Sequence, residues 1–126
     1  MIATDEYPSK PHDTQMPVEQ LDYKGALRTH QPTIVLCSWM PKNEDWTPDF
    51  RANPSLEAYV LIGEAGPTHA SGTAATWDES VYEAAGFSAT ELTGVVPIQF
   101  NVVTDFRRSA DQLHTHSKTL IFQRTA

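Results

Sequence analysis

The stretch Pro32-Thr33-Ile34-Val35-Leu36-Cys37-Ser38-Trp39-Met40-Pro41 decides how this chain is read. Ile34 to Cys37 is a continuous apolar run, not an alternation of apolar and polar residues. A strand buried on both faces, as in a parallel sheet under helices, has that pattern. The run stops where Ser38, Trp39 and Met40 meet the chain-breaking Pro41. Ligands of open α/β sheets sit at the carboxyl ends of the strands, so the end of this run is the first place where a site is expected.

Outward from this strand, the flanking segments alternate helix and strand. Residues 1–17 are polar and carry Pro8, Pro11 and Pro17, which reads as a flexible arm ahead of a domain spanning 18–126. Asp22 caps a helix over roughly 23–30 that turns Ala26 and Leu27 inward. After the apolar strand, Thr47-Pro48 opens a short helix carrying Phe50 and Arg51. A second buried strand, Ala58 to Ile62, ends at Gly63. Thr76-Trp77-Asp78-Glu79 reads as a capping box opening a helix with Val81, Tyr82 and Ala85, closed by Gly86. Phe87 to about Val96 predicts a third strand and Lys118 to Arg124 a last one. The alternation indicates an α/β sheet of about four strands with flanking helices in three layers. The first two strands run parallel. The last pair has no helix between its members and is therefore expected to be antiparallel.

A length of 126 residues suits one domain with a real core. The formal charge of −7 argues against nucleic acid or an anionic membrane as the main partner. No run approaches the roughly 20 apolar residues of a membrane span. The start, Met1 to Pro8, lacks the basic and apolar regions of a signal peptide, so a cytoplasmic location is expected. The single cysteine, Cys37, excludes an internal disulfide and sits in the apolar run, where a buried inert thiol is expected.

The helix, the Pro32–Pro41 stretch, Asp45-Trp46-Thr47, Phe50-Arg51 and Glu57 to Glu64 together resemble the C-terminal half of a class I S-adenosylmethionine-dependent methyltransferase-like domain, a Rossmann-like fold. Tyr82 to Phe87 before a strand, and a closing strand ending Phe122-Gln123-Arg124, fit the same resemblance, which covers roughly residues 20–124. The family's sheet has seven strands in the order 3-2-1-4-5-7-6. The resemblance implies that this chain supplies the equivalents of strands 4 to 7 and lacks the N-terminal cofactor-binding half. Gly63, Gly66 and Gly72 do not have the spacing of a glycine-rich cofactor loop. By resemblance the cofactor is S-adenosylmethionine, with Ser38, Trp39 and Met40 on the loop that would touch it. The outer edge of strand 33–39 would have lost its neighbour. An apolar edge is a template for association, to be covered by a second copy, another chain or the N-terminal arm.

Candidate groups for chemistry are few. Asp45 and Glu64 are carboxylates near strand ends, and His69 is an acid–base group in the loop after the second strand. Trp39 offers a stacking surface for a planar ligand. His114 and His116 would share one face of a strand but lack a third ligand, so no metal site is expected. Asp105 to Arg108 reads as a surface charge cluster. These features lead to an interaction or assembly module dimerising through its first strand. The alternatives are a methyltransferase active only with a partner that supplies the missing half, and a small-molecule-binding dimer.

Overall fold

The computed structural model describes residues 1–8, 17–65, 70–98 and 117–125, and the chain divides into two compact units, Met1–Pro32 and Thr33–Ala126. In the first unit, β1 (Ala3–Asp5) pairs in parallel with β2 (Val18–Gln20), and the Leu21 N–H donates to the Asp5 carbonyl at 3.1 Å. The segment read as a flexible arm contains the strand β1. α1 (Tyr23–His30) starts as the sequence predicts: the Asp22 carboxylate accepts from the Gly25 N–H at 2.7 Å. Leu27 is buried, and His30 bonds Glu19 at 2.9 Å.

The second unit is built on a mixed sheet of four strands in the order β3 (Ile34–Ser38), β4 (Ala58–Gly63), β6 (Lys118–Arg124), β5 (Phe87–Glu91). β3 and β4 are parallel. β6 is antiparallel to both β4 and β5. Three helices connect these strands: α2 (Thr47–Ala52), α3 (Ala74–Trp77) and α4 (Glu79–Ala84). The sheet register separates two faces. On one, Tyr59 of β4 stacks on Phe122 of β6 with ring centroids 4.5 Å apart, and Phe87 of β5 lies 5.5 Å from Tyr59. Phe50 of α2 and Tyr82 of α4 close over this face, 5.7 Å from Tyr59 and 5.1 Å from Phe122. This aromatic cluster, with Leu56 and Leu61, is the core.

The other face carries Ile34, Leu36 and Ser38 of β3, Ala58, Val60 and Ile62 of β4, and Thr119, Ile121 and Gln123 of β6. Here the expectation of a strand buried on both faces fails. Ile34 is 62 % and Leu36 59 % exposed, while only Cys37 of β3 is fully buried. The reason is position: β3 is an edge strand, and α2 and α4 both pack on the opposite face.

Two local expectations also change. α4 is capped by Asp78, whose carboxylate accepts from the Ser80 N–H at 2.9 Å. Thr76 serves the preceding turn, accepting from the Thr73 N–H at 2.9 Å. The third strand stops at Glu91, and Thr93–Ile98 winds into a 3-10 helix because Gly94 and Pro97 interrupt the β-branched run.

Candidate functional site

The loops leaving the carboxyl ends of β3 and β4 are stitched to one another. Trp39 adopts a left-handed backbone (φ 56°) and its N–H donates to the Ile62 carbonyl at 2.7 Å. The Gly72 N–H is shared between the Met40 and Pro41 carbonyls at 3.3 Å each, and the Gly72 carbonyl accepts from the Asn43 N–H at 3.0 Å. Gly72 has φ 72°, and a Cβ there would stand 2.7 Å from the Thr76 hydroxyl. A Cβ on Gly63 would meet the Ser71 hydroxyl at 2.5 Å. Gly63 and Gly72, both on the β4 side of this junction, therefore need glycine, the one for a steric and the other for a conformational and steric reason.

The residues expected to form a site at this rim are held in different environments. Ser38 is exposed and Trp39 half-buried. Met40 is buried, and its sulfur accepts from the Trp46 N–H at 3.3 Å. Glu64 is only 1 % exposed, and its carbonyl accepts from the Ser71 N–H at 3.4 Å. The rim thus presents Ser38 and part of Trp39 to solvent, while Met40 and Glu64 lie beneath it.

Asp45 belongs to the start of α2. Its carboxylate accepts from the Thr47 N–H at 3.1 Å and from the Thr47 hydroxyl at 2.6 Å. That is the turn-forming role for which aspartate is suited. Arg51 donates to the Thr47 hydroxyl at 2.9 Å and to the Tyr59 hydroxyl at 3.3 Å, tying α2 to the core. Burial raises the Tyr59 pKa, and Arg51 works against that rise. Burial likewise pushes the Cys37 thiol up to about 11, so a nucleophilic thiolate is disfavoured at neutral pH. His69, the Asp105–Arg108 cluster, His114 and His116 lie outside the described residues.

Local sequence patterns missed Arg124. Its guanidinium donates to the backbone carbonyls of Leu56 (3.0 Å), Asn53 (3.1 Å) and Arg51 (3.2 Å) and lies 4.7 Å from the Phe87 ring centre. One side chain on the last strand thereby fixes the connection between α2 and β4. Its acceptors are about 70 positions away in the chain and are main-chain atoms, so no motif announces them. Arg124 also borders a cleft of about 380 Å³ lined by Ile34, Glu57, Ala58 and Gln123. Ile34, Ala58 and Gln123 form one row across the open face, and the small Ala58 leaves the depression between its larger neighbours. The cleft lies at the amino-terminal ends of β3 and β4, opposite the end where a ligand site is expected for this class of sheet.

Among the described residues, no group of three or more His, Cys, Asp or Glu could hold a metal ion, and no helix is long and apolar enough to cross a membrane. Comparisons with family models, with curated proteins and with solved structures found no match to this chain.

Proposed function

We propose that the chain is an assembly module in which β3 is the joining element and a second copy of the chain is its partner. The exposure of Ile34 and Leu36 on an edge strand carries this reading. Natural sheets blunt such edges with charges, prolines or bulges. Nothing charged occurs between Thr33 and Met40. The two edges of the sheet differ in this respect, since β5 exposes Ser88, Thr90 and Glu91. The expected result is a molecular mass by light scattering of twice 14.0 kDa at micromolar concentration. A mass of one chain, with rapid amide exchange along β3, would remove the proposal.

A second reading has its own observation. The order β3-β4-β6-β5, with the last strand inserted antiparallel, is the 4-5-7-6 order of the methyltransferase-like sheet that the sequence resembles. In that reading the β3 edge receives a parallel strand from a chain carrying the cofactor loop. The purified chain alone should then give no heat of binding with S-adenosylmethionine below millimolar concentration. Micromolar binding by the isolated chain would instead make it a self-sufficient cofactor-binding protein.

A further inference from the structure

We infer that two copies join β3 to β3 antiparallel about a two-fold axis at Leu36, making one continuous sheet of eight strands. The inference rests on the dimer reading above and fixes its geometry. Three observations set the arrangement.

The first is the direction of the backbone groups. The Trp39 N–H reaches the Ile62 carbonyl, and the Thr33 carbonyl accepts from the Glu57 N–H at 2.8 Å. Residues 33, 35, 37 and 39 therefore turn their amide groups toward β4. Alternation turns those of Ile34, Leu36 and Ser38 outward, and their side chains occupy the open face.

The second is symmetry. Two identical chains in a closed dimer meet by a two-fold axis, so the strands run antiparallel and their residue numbers sum to a constant. Opposing Leu36 with its own copy sets Ile34 against Ser38 of the second copy, and Ser38 against Ile34. All three outward residues then exchange hydrogen bonds, two per opposed pair. Centring the pair on Val35 sets Ser38 opposite Pro32, which has no N–H, and centring it on Cys37 sets Ile34 opposite Met40, past the end of the strand at Ser38. The Leu36 register is the one that uses the whole five-residue strand with both prolines outside it.

The third is charge. The chain carries a formal −7, which opposes self-association in general. Thr33 to Pro41 contains no ionisable group except the buried Cys37 thiol, so two copies approaching here bring no charges face to face within the pairing. The two Leu36 side chains meet on the axis. Ile34, Val60 and Ile62 of each copy extend the apolar surface on both sides.

Cysteine cross-linking in the full chain tests the register, on a Cys37→Ala background. Opposed residues of a hydrogen-bonded antiparallel pair have Cα atoms about 5.5 Å apart, within disulfide reach. Leu36→Cys should form a covalent dimer under mild oxidation. Ile34→Cys alone should not, because four residues of offset place the two thiols roughly 13 Å apart. A mixture of Ile34→Cys and Ser38→Cys chains should give the heterodimer. Circular dichroism of each variant and of the Cys37→Ala background checks folding; Ile34, Leu36 and Ser38 are exposed, so the background change at buried Cys37 is the one that touches the core. Cross-linking of Ile34→Cys to itself without that of Leu36→Cys would overturn the register. A dimeric mass with no cross-link at any of the three positions would place the interface elsewhere, and would overturn the inference while sparing the dimer. A monomeric mass for the unsubstituted chain would sink the dimer reading itself.

Discussion

Phe122→Ala is expected to lower the free energy of unfolding by about 3–5 kcal/mol, the range for removing a buried aromatic side chain. Phe122 is fully buried and touches two layers at once: it stacks on Tyr59 with ring planes 7° apart and receives the Tyr82 ring edge-on. Truncation would empty the space between the Tyr59 and Tyr82 rings, and β4 and β6 are held apart there by their own ladder. Domains of this size have total stabilities of roughly 5–15 kcal/mol, so the loss would be a large fraction of the total. Urea titration is the measurement, read as a drop in the midpoint with little change in slope. Tyr59→Phe is the contrast. It keeps the ring stack and loses only the hydroxyl's contact with Arg51 at 3.3 Å, so a cost near 1 kcal/mol is expected. Equal losses for the two variants would mean that the aromatic cluster is not where the stability resides.

Leu36→Lys should weaken the proposed dimer by roughly 100-fold, equivalent to about 2.7 kcal/mol, without lowering the stability of the single chain. On the two-fold axis each lysine would face its own copy, and like charges directly opposite across a strand pair repel. Lysine on an edge strand is also a common natural block to strand addition. Leu36 is 59 % exposed, so the folded monomer should tolerate the change. Sedimentation equilibrium of the variant against the unsubstituted chain checks this, with Thr90→Lys on the opposite edge as the control that should leave association unaltered. An unchanged dimer constant for Leu36→Lys would exclude β3 from the interface.

The sequence was informative wherever a local rule had a single solution. Asp22 followed by a periodic segment gave α1, and the apolar runs at 34–37 and 58–62 gave the parallel pair. The missing crossover between the last two strands gave their antiparallel relation. It was misleading where the outcome depended on what lies alongside. A run such as Ile34-Val35-Leu36-Cys37 reads alike in the middle of a sheet and at its edge, because periodicity records side-chain polarity and not neighbours. Thr76 and Asp78 are both acceptable caps two residues apart, and the fold uses each for a different turn. Among the candidate site residues, Asp45 and Glu64 were conspicuous by charge, yet one shapes the start of α2 and the other is buried. Arg124 was inconspicuous because its role depends on main-chain carbonyls brought near only by the completed fold.

In the proposed dimer, the unlike edges of the sheet would determine where growth stops. Head-to-tail joining of β3 onto β5 would leave a fresh β3 at each end and propagate into a filament. Two-fold joining consumes both apolar edges together. What remains outward on either side is β5, with the polar side chains of Ser88, Thr90 and Glu91. Such an assembly terminates itself at two chains, and raising the concentration should fill that state without producing longer species.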